Sequence, residues 1–423
     1  MISEFEDHKI YQRKNKDEYD LSYFRQVEEG MVKLIKQGRF YDDENLTNYL
    51  LYLKNKLIDG RYTDRSMQVH ILVDKTSSVN AFTLGRCTIV VNNGLLSKME
   101  TEEQFAFVLA HEIAHIELKH VYKKLNTIDQ NKIDQDLNMI LLEDVNTEDM
   151  EEFKNQMYDF ASFNRELEAA ADSLGYLIYS NVYNNPRAPI EALGKIDSNN
   201  PERDKIGLEL FKPFNFRLHP FDRKWIREDL NHFSDRSDRV LFLKMDSITS
   251  HPEMSLRLDR LLDQISVHVY DSINTETDIA WLNKTSSFEI VNFSLKTNAY
   301  ARGLYEALKM KYYYPDDKMI STLLAEVLIQ IHDHKRDGLF DMYFSRYTIG
   351  YSSDLRMVHN FIRNISYQEI SGVAFNFLGQ AKNFDILEPM HYKLLVSICE
   401  RMGRTNQAKK IKYQYEAKFD RKW

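Results

Sequence analysis

From Thr101 to Val121 the chain contains no glycine and no proline, and such a stretch, once opened by a cap, strongly favours a helix. Thr101-Glu102-Glu103-Gln104 reads as a capping box, and Phe105, Phe107, Val108, Leu109 and Ala110 make the following turns apolar enough to lie at the centre of a fold. Inside this helix stands His111-Glu112-Ile113-Ala114-His115. Residues four apart on a helix lie about 40° apart around its axis and about one pitch apart along it, so both imidazoles can reach one metal ion. Glu112 flanks that ion, where a carboxylate can take a proton from an activated water rather than bind the metal. The bland alternative is a buried helix whose histidines are satisfied by hydrogen bonds in the core.

A catalytic zinc site takes three protein ligands and keeps a fourth position open for water. The pattern with a third histidine six residues beyond His115 is absent, because Leu118 and Val121 stand where that class needs Gly and His. His120 is either a side chain that supports a ligand or an ordinary exposed histidine. The other route is a glutamate on a later helix, and Asn164-Arg165-Glu166-Leu167-Glu168-Ala169-Ala170-Ala171-Asp172 offers Glu168. Its three alanines let that helix come close, and Asp172, one turn beyond Glu168 on the same face, can hold a ligand imidazole. Taken alone, the segment is equally an alanine-rich face with solvated acids.

Four separated motifs together resemble a known family, the HtpX-like and CAAX-prenyl-protease-like gluzincin metallopeptidases, family 48 of the metallopeptidase classification. They are HEIAH with its trailing His120, the segment ending in Asp172, Val79-Asn80-Ala81-Phe82 ahead of Ile89-Val90-Val91 and Gly94-Leu95-Leu96, and Ser250-His251-Pro252 with Arg257. Their order and spacing match over roughly residues 43 to 265. The resemblance implies one zinc ion on His111, His115 and Glu168, with Asp172 in support and Glu112 as general base. It implies that His251 and Arg257, beside and on a helix running from Pro252 to Gln264, stabilise the oxyanion formed when water adds to a peptide carbonyl. It further implies that Asn80 helps to bind an extended substrate at a strand edge, although alone Asn80 reads as a turn residue. One departure is Gly85-Arg86-Cys87, where the family carries a Pro-Gly-Gly turn.

Gln68 to Val73, Val79 to Leu84 and Thr88 to Val91 are alternating or continuously apolar and rich in β-branched residues, which predicts a small antiparallel sheet before the metal helix. Elsewhere 14 glycines and 8 prolines in 423 residues are under half the usual share, so helices dominate. Leu46, Leu50, Leu53 and Leu57 form a core stripe. The fold class is therefore α+β and predominantly helical. A zincin-like metallopeptidase domain spans 1–285, with core motifs at 79–257, and a helical-hairpin domain spans 286–423. In the latter, helices are expected at Tyr300 to Lys311, Met319 to His332, Tyr392 to Met402 and Asn406 to Lys418, the last pair being similar to a tetratricopeptide unit. Such an array can recruit a protein partner or simply buttress the first domain. The acidic stretch 126–160, with Asp134, Asp136, Glu143 and Asp144, is a solvated insertion or a lid.

Net charge −8 and a pI near 5.9 leave no basic footprint for nucleic acid. No apolar run reaches the roughly 18 residues of a transmembrane helix. The charged N-terminus has no signal-peptide core, which suggests a cytoplasmic protein, or a periplasmic or exported one if a signal has been trimmed. Cys87 and Cys399 form no CxxC motif. The expected function is zinc-dependent endopeptidase action on protein or peptide substrates, in protein quality control by resemblance. The competing class is a non-catalytic peptide-binding chaperone or adaptor on the same fold.

Overall fold

The leucine stripe forms the buried face of helix α1 (Glu44–Ile58), which starts at Asp43, whose carboxylate accepts the Leu46 N–H at 2.8 Å. A computed structural model of the chain describes residues 31–32, 34–59, 69–85, 87–127, 165–196, 205–228, 254–266, 278–339 and 352–423. His251 and residues 128–160 of the acidic stretch lie outside them. Contacts divide the chain into two units: Met1–Asn199 with Arg236–Ser286, and Asn200–Asp235 with Ser287–Trp423.

In the first unit, three five-residue strands, β1 (His70–Asp74), β2 (Ala81–Gly85) and β3 (Thr88–Asn92), form a sheet in the order β1-β3-β2. The sequence predicted an antiparallel sheet; the observed one is mixed. β2 pairs antiparallel with β3, whereas β1 pairs parallel with β3, His70 opposite Thr88 and Asp74 opposite Asn92. The connection at 75–80 carries the chain past one strand position, and the tight turn after β2 fills that position with β3. Cys87 sits in this turn at φ 60. β3 is buried on both faces, while β2 lies at an edge, and among the described residues no strand pairs with its outer side.

One face of the sheet, with Val73, Ala81, Ile89 and Val91, joins the main core under helix α2 (Glu102–Glu117). Leu72, Val90 and Leu84 point the other way, toward Met31, Ile35 and Phe40. Half of the expected capping box forms: Thr101 Oγ1 accepts Gln104 N–H, but the Gln104 side chain accepts Glu100 N–H instead of closing back on Thr101. Around α2 lie α3 (His120–Thr127), α4 (165–180), α5 (Arg187–Ile196) and α6 (Met254–Ser266). The division between units falls inside α7 (Ala280–Lys296).

The second unit is a succession of helices: α8 (Tyr300–Tyr313), α9 (Lys318–Arg336), α10 (Ser353–Asn364), α11 (Tyr367–Leu378), α12 (Pro389–Arg401) and α13 (Thr405–Phe419). α8 packs on α9, α9 on α11, and α12 on α13. The first domain expected from sequence includes residues 205–228, which the contacts group with the second unit. The reason is aromatic: Phe211, Phe214 and Trp225 are buried against Phe361 of α10, and side chains of that size fix the affiliation of a segment with little regular structure.

Candidate metal centre

Helix α2 presents His111 and His115 one turn apart, with their Nε2 atoms 3.0 Å from each other. Helix α4 brings Glu168 against both: Oε2 lies 3.3 Å from His111 Nε2, and Oε1 lies 3.3 Å from His115 Nε2. The three side chains are 2–6% exposed. Among the described residues they form the cluster of His, Cys, Asp and Glu able to hold a metal ion.

The donor set fits a zinc ion. Bond lengths of 2.0–2.2 Å in a tetrahedral site put neighbouring ligand atoms about 3.3–3.6 Å apart; here the two Nε2 atoms are 3.0 Å apart and each has one of the two Glu168 oxygens at 3.3 Å. Two imidazole nitrogens and a carboxylate also have no reason to converge in a core unless a cation, metal or proton, lies between them. His111 shows that demand directly. Burial alone disfavours its imidazolium, yet the Asp172 and Glu168 carboxylates outweigh burial and raise its pKa to about 10.

Behind the cluster, each imidazole has a polar neighbour at its Nδ1. His111 Nδ1 lies 3.0 Å from Asp172 Oδ1. Arg257 of α6 grips the same carboxylate with Nε at 2.8 Å from Oδ2 and Nη2 at 2.7 Å from Oδ1, and Nη2 lies 3.8 Å from Glu168. The resemblance assigned Arg257 to the oxyanion. Here its forked face meets the buried Asp172 carboxylate through two hydrogen bonds.

His115 Nδ1 meets His120 Nδ1 at 2.9 Å, and His120 is 1% exposed. On an unbroken helix the fifth residue onward would point about 140° away. The chain instead breaks after Glu117, with Lys119 in the left-handed region at φ 53, and a new helix starts at His120. That turn folds His120 back onto the site.

Glu112 is 3% exposed and accepts a hydrogen bond from Thr83 Oγ1 at 2.9 Å to its Oε2. Asn80 shares with His111, Glu112 and Arg257 the wall of a cavity of about 10 Å³, room for about one water molecule. Thr83 and Gly175, where α4 crosses α2, were not singled out from sequence. The polar residue on the helix-facing side of a strand was the signal for Thr83; Gly175 left none.

Residues 57–265 match the model of Peptidase family M48. The chain carries an M48 peptidase domain. Over 129 residues it is 32% identical to the mitochondrial metalloendopeptidase OMA1 of Arabidopsis thaliana, which is 30% of this chain and 26% of that relative's length. The chain thus spans about a quarter of the curated relative it matches. The M48 match covers the sheet, α2, α4 and α6, that is, all the elements that build the His-His-Glu centre. The fold is the zincin-like α+β arrangement, and the domain is of metallopeptidase type. No helix among the described residues is long and apolar enough to cross a membrane.

Proposed function

We propose that this chain is a zinc-dependent endopeptidase that hydrolyses peptide bonds of protein substrates, with His111, His115 and Glu168 as metal ligands and Glu112 as general base. The observation that carries the reading is the convergence of two Nε2 atoms 3.0 Å apart with the Glu168 carboxylate, which sets one oxygen 3.3 Å from each of them, and with Glu112 on the same helix next to His111. A zinc ion held there would supply Lewis-acid polarisation of water and of the scissile carbonyl. Glu112 takes the proton of the attacking water and returns it to the leaving nitrogen. Asp172 fixes the His111 ring, His120 fixes the His115 ring, and Arg257 keeps Asp172 ionised and in place. The outer side of β2 offers backbone groups to which an extended substrate can add as a further strand, with Asn80 at the start of that edge. A role for His251 at the oxyanion and a setting in protein quality control rest on the resemblance alone. The second unit's helices are a surface for a protein partner.

Glu112→Gln tests the reading. It preserves shape and leaves the three metal donors, so zinc content should stay at one per chain while cleavage of an unfolded protein falls by about 10²–10⁴-fold. A chelator should stop the wild type. Unchanged cleavage by Glu112→Gln removes Glu112 as base. A metal-free protein that binds peptides as well as the zinc-loaded one, with no cleavage by either, overturns the peptidase in favour of a peptide-binding adaptor.

A further inference from the structure

We infer that Thr83 is a positioning residue that fixes the Glu112 carboxylate through its hydroxyl, an inference that rests on Glu112 being the base. Alternation along the sheet assigns residues 71, 73, 81, 83, 89 and 91 to the face under α2. Ile71, Val73, Ala81, Ile89 and Val91 obey the pattern and are apolar; Thr83 breaks it. Valine would fill the same space without a polar atom, so packing does not account for the hydroxyl. What accounts for it is its partner: Oγ1 lies 2.9 Å from Glu112 Oε2 and 3.2 Å from the Glu112 carbonyl oxygen.

A hydroxyl has one proton to donate, and an ionised carboxylate is the stronger of these two acceptors. The bond to Oε2 therefore holds the carboxylate in one rotation and leaves exchange of a proton with water chiefly to Oε1. Threonine suits this task because branching at Cβ restricts χ1. The strand carrying it is pinned by pairing Thr83 with Ile89 of β3. Orientation of the base is thus set by the sheet, on the same strand whose outer edge would receive substrate, and not only by the helix that bears it. A purely structural Thr83, satisfied by the helix carbonyl, would leave turnover untouched.

The test uses the full-length, zinc-loaded protein and the variants Thr83→Val, Thr83→Ser, Glu112→Gln and the Thr83→Val/Glu112→Gln pair. With a fluorogenic peptide pool, Thr83→Val should lower kcat by about 10- to 100-fold at unchanged KM and zinc content, and Thr83→Ser should recover most of it. Independently of turnover, the Tm shifts of Thr83→Val and Glu112→Gln should be non-additive in the double variant, as groups in contact require. Additive Tm shifts overturn the contact, and an undiminished kcat for Thr83→Val overturns its purpose. A coupled Tm cycle in a wild type that cleaves nothing overturns the peptidase reading, and with it the catalytic role of Thr83, while leaving the contact standing.

Discussion

The Asp172 carboxylate is divided between a guanidinium and an imidazole: Arg257 bonds to both oxygens, and His111 Nδ1 lies beside one. Burial works against its charge, but the charge of Arg257 and the hydrogen bonds from Arg257 and His111 win, holding it well below the usual carboxylate range. Asp172→Asn keeps the shape and removes the charge, leaving Arg257 buried without its counter-ion. The expected cost is about 3–5 kcal/mol of stability and about 10–100-fold in zinc affinity, read by urea unfolding and by competition with a chromophoric chelator. Unaltered zinc affinity would show that Asp172 does not hold the ligand ring. Glu168 and Asp172 were legible as a pair because one helical turn fixes their relation. The partnership with Arg257 was not, since 85 residues separate it from Asp172 and only folding brings the two together.

Among the elements, α4 comes close to α2 at Gly175. A Cβ at Gly175 would stand 2.8 Å from His111 Cα, against rigid backbone. Of the three alanines Ala171 is buried, whereas Ala170 faces out. Gly175→Ala should therefore push the helices apart, costing about 1–3 kcal/mol and moving Glu168 away from the imidazoles. Loss of zinc from a still-helical protein, seen by elemental analysis beside circular dichroism, checks this; full zinc content would mean that the helices part without disturbing the ligands. The helices themselves were legible from caps and period. The parallel pairing of β1 with β3 was not, because strand order depends on which edge the chain returns to. The break that turns His120 inward hinges on a lysine, a residue with no sequence signature for a left-handed turn.

At the scale of the whole molecule, each unit has its own core, and the second hides a charge in it. Lys311 is 4% exposed, and its ammonium donates to Ser321 Oγ at 2.7 Å. Burial, helped by the charge of Lys382, lowers its pKa to about 8 against an ordinary 10.5. Between those values the unfolded chain binds the extra proton and the folded one does not, so stability rises as pH climbs from about 8 to about 10.5. Relative to Lys311→Met, the wild type should gain at most about 3 kcal/mol across that window, followed by hydrogen exchange in α8 and α9. A flat difference would mean that the ammonium stays solvated. Local sequence is enough for the helices, for His111 and His115 on one helix face with Glu112 beside them, and for the carboxylates of α4, because helical periodicity ties such residues together over one or two turns. Folding alone supplies the convergence of α2 with α4, the Arg257 and Thr83 contacts, the inward turn of His120 and the grouping of residues 205–228 with the second unit. Those depend on which surfaces bury each other, a free energy shared among distant residues that no local pattern encodes.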